Sequence, residues 1–111
     1  RLDNLTIIVD RNTLQITDRT ENVMGLEPLA DKFAAFGCAV RTCDGNSIEE
    51  LTHLFDGLPF EPGKPSLVLA KTIKGKGISF MEDTVKWHHK VPSEDEYSAA
   101  IHELDRAEAS L

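Results

Sequence analysis

The sequence has 111 residues, of which 41% are hydrophobic, and this suits one small domain with an apolar core. Its net charge of −7 argues against a nucleic-acid-binding protein, because such proteins present dense positive charge to phosphates. No apolar run approaches the roughly 20 residues that cross a bilayer, so we predict no membrane-spanning segment and no membrane partner.

The chain begins without an initiator Met or a signal peptide, and Arg1 leads almost directly into an apolar run. Such a start is typical of an internal piece of a longer chain. Cys38 and Cys43 lie in one predicted strand about 16 Å apart, whereas a disulfide needs alpha carbons within about 7 Å. Two thiols that cannot pair with each other favour a cytoplasmic protein.

The first half of the chain predicts a strand, a loop and a helix. The nearly continuous apolar run 5–9 predicts a strand that is covered on both faces. Residues 10–25 are polar and show neither helical nor strand periodicity, so we predict a long functional loop. Apolar side chains then recur at helical spacing over 29–36, and Gly37 is a natural end for that helix.

The second half continues the alternation. Residues 38–43 predict a second strand, and Ser47 with Glu50 three residues later predicts a capping box that opens a helix. A loop rich in Pro and Gly leads to a third buried strand at 66–70, which runs straight into the glycine-containing loop 71–77.

A last helix, capped by Ser93 with Glu96, completes the order. Strands that alternate with helices predict an α/β fold, with a parallel sheet and helices on both of its faces. Ligands of such sheets bind at the carboxyl ends of the strands. The loops 10–25 and 71–77 both follow strands, so we expect them at that edge.

These two loops carry groups that could bind a metal ion or an anion. Asn12 offers an amide oxygen, and the backbone carbonyl of Leu14 could face the same way. Mg²⁺ prefers a few oxygen ligands together with substrate phosphates, so these two groups would form half of a site. Lys74 supplies positive charge beside glycines that let an anion approach the backbone. Taken alone, both patterns are more often ordinary turns.

Trp87-His88-His89 forms a third group. A histidine can transfer protons or bind a phosphate near neutral pH, although an exposed histidine beside a packed tryptophan is the simpler interpretation. His53 and His102 lie on predicted helices, where we expect them to be exposed and without a role.

Short motifs run through the whole chain in a fixed order. They are Leu2-Asp3-Asn4-Leu5, Val9-Asp10-x-Asn12-x-Leu14-Gln15, Lys32-Phe33-x-x-Phe36-Gly37, Asp44-Gly45, Lys71-Thr72-x-Lys74-Gly75-Lys76-Gly77, Glu82-Asp83 and Trp87-His88. In this order and spacing the chain resembles the second half of the thiamine-diphosphate-binding domain of transketolases, and the N-terminal subunit of split transketolases most of all. Residues 1–111 would then be the C-terminal portion of that domain.

The resemblance implies roles for four residues. Asn12 and the backbone carbonyl of Leu14 are implied to be ligands of a divalent cation, which is Mg²⁺ or alternatively Ca²⁺ or Mn²⁺. Lys74 and His88 are implied to contact thiamine diphosphate, and His88 is implied to be catalytic near the sugar substrate. The implied reaction is transfer of a two-carbon ketol unit between sugar phosphates in the pentose phosphate pathway, with the cofactor performing the difficult chemistry.

The resemblance also implies partners. The Gly-Asp-Gly half of the metal motif, which brings the carboxylate ligand, is expected in an upstream half of the domain. A pyrimidine-binding domain or subunit is expected to face this one in a hetero-oligomer or a dimer of such units, so the isolated chain is expected to be inactive. Asp18 and His89 stand where the family usually has glycine.

Two other hypotheses remain open at this point. A relative of 1-deoxyxylulose-5-phosphate synthase would share the Lys-Gly-Lys-Gly loop, although the Trp87-His88 pair and the Asn-x-Leu-Gln run favour transketolase. A non-catalytic α/β module that only binds partners is the second alternative, and the missing Gly-Asp-Gly motif favours it for the isolated chain.

Overall fold

The computed structural model describes residues 2–110 and has a parallel three-stranded sheet at its centre. The strands are β1 (Thr6–Arg11), β2 (Leu14–Gln15), β3 (Asp18–Arg19), β4 (Ala39–Asp44) and β5 (Ser66–Lys71). The helices are α1 (Thr20–Val23), α2 (Leu29–Ala35), α3 (Ile48–Asp56) and α4 (Glu94–Glu108), with a 3₁₀ turn at Val85–His88 before α4.

Strand β5 lies between β1 and β4, and both neighbours run parallel to it. In the aligned register, Lys71 at the end of β5 lies beside Arg11 of β1 and Asp44 of β4. The three carboxyl ends therefore form one edge, and the chain after β1 and the chain after β5 leave the sheet side by side. The predicted α/β fold and the predicted position of the two loops are both confirmed.

The core surrounds β5. Successive strand residues point to opposite faces, and Leu67 and Val68 are both fully buried at 0% exposure. Val68 packs in one apolar cluster with Cys43 of β4 and Leu54 of α3. On the other face, α2 packs against the sheet, and its Leu29 lines a cavity together with residues of β1. Burial of apolar surface on both faces of β5 is the main stabilising contribution.

Strand β1 differs from its prediction. We expected it to be covered on both faces, but alternate residues are exposed and Ile8 keeps 57% of its surface accessible. The prediction was wrong because an apolar run indicates only that both faces of the strand are apolar. It does not indicate that this chain has segments that pack on both of those faces. Among residues 2–110, one face of β1 has no such cover.

The segment 10–25 is more ordered than predicted. It contains the β2–β3 hairpin and the short helix α1, so the expectation of an irregular loop was wrong. Arg11, which is only 8% exposed, donates hydrogen bonds to Thr20 Oγ1 at 2.8 Å, Glu21 Oε1 at 2.8 Å and Glu27 Oε1 at 3.0 Å. Two-residue strands are too short to show a sequence period. The hydrogen bonds of Arg11 hold α1, which follows the hairpin, against the end of β1.

The two predicted capping boxes have different outcomes. Ser93 and Glu96 form both hydrogen bonds of the box at the start of α4. At α3, Ser47 Oγ accepts from Glu50 N at 3.2 Å, but the Glu50 carboxylate accepts from Asp44 N at 2.8 Å rather than from Ser47 N. The second half of that box was therefore predicted wrongly, because the sharp turn after β4 brings another backbone N–H within reach.

The described part of the chain is flat. Its dimensions are 51 × 36 × 17 Å and its radius of gyration is 17.1 Å, compared with about 13 Å for a compact domain of 100 residues. Large apolar side chains such as Phe36, Ile48 and Tyr97 are exposed. No helix within residues 2–110 is long and apolar enough to span a bilayer.

Cys38 and Cys43 are both free, as the spacing predicts. Strand β4 begins at Ala39, so Cys38 lies just outside the strand in which it was placed. Burial raises the pKa of the Cys43 thiol, and the nearby carboxylates of Glu50 and Asp44 raise it further. Cys43 therefore behaves as a small apolar residue of the core.

Candidate functional site

A cavity of about 300 Å³ lies beyond the carboxyl ends of β1 and β5. Asn12 and Leu14 line it from the segment that leaves β1. Lys74 and His88 line it from the segment that leaves β5. The structure thus brings together all four residues that sequence reasoning selected, although the chain separates them widely.

Asn12 is held in a local turn. Its Oδ1 accepts a hydrogen bond from Leu14 N at 3.0 Å, and Thr13 between them has a φ of 65°. A non-glycine residue in this left-handed region is uncommon and persists only where the surroundings require it. The turn keeps the amide oxygen of Asn12 close to the peptide group of Leu14, and that oxygen still has a free lone pair.

The carbonyl of Leu14 points to the same side as the Asn12 amide oxygen. In the hairpin, Thr20 N donates to Thr13 O at 2.8 Å, while Leu14 stands opposite Arg19. Hydrogen-bonded and non-bonded pairs alternate along an antiparallel ladder, so both backbone polar groups of Leu14 point away from β3. Its N–H already reaches Asn12, and its C=O therefore offers a second oxygen on that side.

These two oxygens fit part of a divalent-cation site. Mg²⁺ and Ca²⁺ prefer oxygen ligands, including amide and backbone carbonyl oxygens. Within residues 2–110 no cluster of three or more His, Cys, Asp or Glu side chains is placed to hold a metal ion. The two oxygens described on this wall, an amide and a backbone carbonyl, are neutral donors.

The opposite wall is a tightly folded loop. Gly75 has a φ of 76°, and a Cβ at this position would lie 2.7 Å from the carbonyl oxygen of Met81. Asp83 N donates to the Lys74 carbonyl at 2.8 Å, which closes the loop. The side chain of Lys74 is half-buried and takes part in none of the ion pairs formed within residues 2–110. Its ammonium group is thus available to an anion in the cavity.

His88 ends the 3₁₀ turn and is exposed at the rim of the cavity. The turn is anchored by Trp87, whose indole N–H donates to Phe80 O at 3.0 Å and whose ring packs against Phe80. The packed tryptophan and the exposed histidine that we considered from the sequence are both observed. His53 and His102 are exposed on helices, as predicted.

His89 and Asp18, which stand where the family that the motifs resemble usually has glycine, each make a local contact. His89 is exposed and packs edge-on against His88, with ring centroids 4.3 Å apart, so it restricts the orientation of that ring. Asp18 lies in the hairpin, and its Oδ1 accepts from Arg19 N at 2.6 Å. This backbone N–H holds the pKa of the Asp18 carboxyl below its ordinary value.

Sequence reasoning missed several residues of the site. Gln15, Ile16 and Val85 also line the cavity, and Ile16 has a left-handed φ of 50°. An ion pair between Arg19 and Asp83 connects the two walls. An apolar Ile16 within a polar loop was the available signal for the lining, whereas no local pattern indicates a contact between residues 64 positions apart.

Comparison with known proteins identifies the family. Residues 1–106 match the family model described as transketolase, thiamine diphosphate binding domain. The chain belongs to this transketolase family. It is 43% identical over 104 residues to an apulose-4-phosphate transketolase subunit of Phocaeicola vulgatus, covering 94% of this chain and 37% of that protein. The resemblance found in the sequence motifs is thereby confirmed.

Other transketolases likewise match most of this chain but only part of their own length. The chain is 40% identical over 106 residues to the 6-deoxy-6-sulfo-D-fructose transketolase subunit SqwG of Clostridium sp., covering 96% of this chain and 38% of that protein. A crystal structure of transketolase from Campylobacter jejuni superposes with a TM-score of 0.71 at 23% identity, over 98% of this chain and 21% of that one. That likeness shows the fold, and the chain spans less than two fifths of the length of these relatives.

Proposed function

We propose that residues 1–111 are the C-terminal portion of a thiamine-diphosphate-binding domain and contribute part of its Mg²⁺-diphosphate site. The enzyme would be a transketolase that transfers a two-carbon ketol unit between sugar phosphates. The observation that carries this proposal is the convergence of Asn12, Leu14, Lys74 and His88 on one cavity at the carboxyl edge of the sheet. Family membership and the names of the relatives agree with it.

The metal ligands in this proposal are Asn12 Oδ1 and the backbone carbonyl of Leu14, which the turn at Thr13 holds on one side. Mg²⁺ is the expected ion, since it combines a few protein oxygens with phosphate oxygens, and Ca²⁺ or Mn²⁺ would fit the same donors. The carboxylate that completes the site comes from the upstream half of the domain.

Lys74 neutralises the diphosphate in this proposal. A diphosphate places concentrated negative charge in a partly enclosed cavity, and such burial is costly unless cations compensate it. Half-buried Lys74 lines the cavity together with Asn12 and Leu14, so its ammonium group and a cation held by those two residues would share the neutralisation of the diphosphate charge. Gly75 and Gly77, both with positive φ, let the loop fold closely enough to hold Lys74 there.

His88 is the proposed catalytic residue. Its exposed position at the cavity rim allows it to bind a phosphate or sugar hydroxyl and to hold or donate a proton there. When bound, thiamine diphosphate supplies the carbanion and the electron sink that ketol transfer requires. The residues of this chain bind and orient the reacting groups.

The proposal includes partners. The flat shape and the exposed apolar residues such as Ile8 and Phe36 favour a chain that is covered by other polypeptide segments. We assign that role to the upstream half of the domain and to a pyrimidine-binding domain or subunit, in a hetero-oligomer or a dimer of such units. Two of the relatives are themselves named as transketolase subunits, which agrees with a split enzyme. A cytoplasmic location, consistent with two free thiols, and a place in the pentose phosphate pathway belong to the same proposal.

Calorimetry with thiamine diphosphate and Mg²⁺ tests the proposal, on the chain alone and in the assembly with the upstream half and the pyrimidine-binding partner. We expect binding in the assembly only, and we expect EDTA to abolish it. Absence of binding in both samples would favour the non-catalytic module. The transketolase names of the relatives already favour ketol transfer over a 1-deoxyxylulose-5-phosphate synthase activity.

Two substitutions test the ligand assignment in that assembly. Asn12→Ala should weaken cofactor binding in a way that higher Mg²⁺ concentration partly restores, because it removes a metal ligand. Lys74→Gln should weaken binding about 10- to 100-fold at every Mg²⁺ concentration, since a hydrogen bond to a charged group contributes about 1.5–3 kcal/mol. Lys76→Gln is the matched control, because Lys76 faces Glu82 at 3.5 Å and does not line the cavity. Equal affinities for all variants would remove Asn12 and Lys74 from the site.

A further inference from the structure

Arg19 and Asp83 join the two walls of the cavity. Arg19 ends β3 in the hairpin that carries Leu14, and Asp83 lies in the segment that follows the glycine loop. The Arg19 guanidinium donates from Nη1 to Asp83 Oδ1 at 2.6 Å and from Nη2 to Asp83 Oδ2. Two parallel hydrogen bonds fix the angle as well as the distance between the groups, which a single contact does not.

The pair is connected to both sets of proposed ligands. On one side, Arg19 Nη1 also donates to Thr13 Oγ1 at 3.0 Å, and Thr13 is the residue between Asn12 and Leu14. On the other side, Asp83 N donates to the Lys74 carbonyl at 2.8 Å. A continuous series of hydrogen bonds therefore runs from the turn that holds the metal ligands to the backbone of Lys74.

Both ends of this series have unusual backbone geometry. Thr13 has a φ of 65° and Asp83 a φ of 54°. Non-glycine residues rarely adopt this region, and such conformations persist where the surrounding contacts over-determine them. The hydrogen bonds that Arg19 makes to Thr13 and Asp83 are contacts of this kind. The strain thus lies at the two points where the walls are joined.

We infer that Arg19 and Asp83 are a positioning pair that sets the distance between the Asn12–Leu14 oxygens and Lys74, and hence the fit of a diphosphate between them. This inference rests on the proposed function. Neither residue lines the cavity, so the pair acts through Thr13 and Lys74 and does not touch the ligand.

Because the pair is exposed, its effect on ligand affinity can be measured separately from its effect on global stability. The side chains of Arg19 and Asp83 are 46% and 45% exposed, and ion pairs this exposed contribute little to global folding. Loss of the pair should therefore change the affinity for a diphosphate much more than the free energy of unfolding. An ordinary surface ion pair would change neither.

The experiment compares Arg19→Gln, Asp83→Asn and the double variant in the assembled protein. We expect each single change to weaken thiamine diphosphate binding about tenfold, which corresponds to about 1.4 kcal/mol. The double variant should bind no more weakly than either single variant, because the two changes remove the same link. Lys64→Gln is the matched control, since Lys64 forms a similarly exposed ion pair with Glu61 at the other end of β5.

Affinity for thiamine monophosphate distinguishes the positioning role from a general structural defect, because such a defect would weaken the binding of both phosphates equally. A monophosphate has one phosphate fewer to contact both sets of residues, so in this inference its affinity should fall far less and the preference for the diphosphate should shrink about tenfold. Amide hydrogen exchange provides a second readout without ligand. In Asp83→Asn, the Leu14 amide across the cavity should exchange faster, whereas the amides of β5 should not change.

The outcomes separate this inference from the proposed function. If the unchanged protein binds no thiamine diphosphate, the proposed function fails and the inference falls with it. If the unchanged protein binds the cofactor but the variants keep its affinity and its preference for the diphosphate, only the inference is wrong. Additive losses in the double variant, or equal losses for both phosphates, would likewise overturn the positioning role.

Discussion

Strand β5 and the cavity beyond its last residue are stabilised in different ways. In the strand, Leu67 and Val68 are fully buried, and their contribution comes from apolar surface removed from water. In the cavity walls, the contacts are hydrogen bonds and an ion pair among residues that are half-buried or exposed, such as Arg19 and Asp83. One region is stabilised by packing, and the other is shaped by directional polar contacts.

The difference matters because the two regions should respond to substitution in opposite ways. Packing in the strand is non-directional and shared among many atoms, so its loss lowers the stability of the whole molecule. The polar contacts of the walls contribute little to global stability but determine where Asn12, Leu14 and Lys74 stand. Stability and ligand affinity should therefore be separable by the choice of residue.

The largest effect is expected for Leu67→Ala in the centre of β5. Its side chain is fully buried, so we expect a loss of about 2–5 kcal/mol in the free energy of unfolding, measured by urea denaturation. Ile8→Ala in the neighbouring strand is the control. Because Ile8 is 57% exposed, this change should lower the free energy of unfolding of the same chain by well under half as much. Equal costs for the two changes would contradict the assignment of the core to β5.

A smaller effect on stability, with a large effect on affinity, is expected for Gly75→Ala. The φ of 76° costs an alanine about 1–2 kcal/mol, and the new Cβ would meet the Met81 carbonyl at 2.7 Å. The loop must shift, and Lys74 shifts with it, so binding of thiamine diphosphate in the assembly should weaken by up to the roughly 10- to 100-fold expected for Lys74→Gln.

Gly63→Ala is the control for this prediction. Gly63 has a similar φ of 78°, but a Cβ added there would meet no atom within 4 Å among residues 2–110 beyond its chain neighbours. In denaturation, Gly63→Ala should lower the free energy of unfolding by the same backbone contribution. It should leave cofactor affinity unchanged. If both variants bind the cofactor normally, the close contact at Met81 does not position Lys74.

The smallest effect is expected from pH. Backbone and hydroxyl hydrogen bonds from Ser79 hold the pKa of Glu103 below its ordinary value of 4.5, and the Gly77 N–H does the same for Glu82. Because their pKa values are lowered in the folded state, these carboxylates contribute stability above pH 4.5 and lose it as the pH falls through the folded values.

Urea denaturation at a series of pH values measures this dependence. The free energy of unfolding should be steady above about pH 5 and fall below it, and Glu103→Gln should reduce the slope of that fall. A variant with the same slope as the unchanged chain would show that Glu103 does not contribute to the dependence.

Much of the fold could be predicted from the sequence because strands in parallel sheets and capped helices leave local signals. The apolar run 66–70 lies within β5, and Ser93 with Glu96 marked the start of α4. The β2–β3 hairpin gave no such signal, since its strands have two residues each, and Arg11 reaches Thr20, Glu21 and Glu27 only after the hairpin has folded back.

The sequence alone determined the family and the alternation of strands and helices, and it selected the residues that we propose for a metal-bound diphosphate. It could do so because motif order and apolar periodicity are properties of neighbouring residues. Only the tertiary structure decided that β1 pairs with β5, which places Asn12 and Lys74 on facing walls. It also decided that Arg19 meets Asp83, because a contact across 64 positions depends on how the chain folds and not on any local pattern.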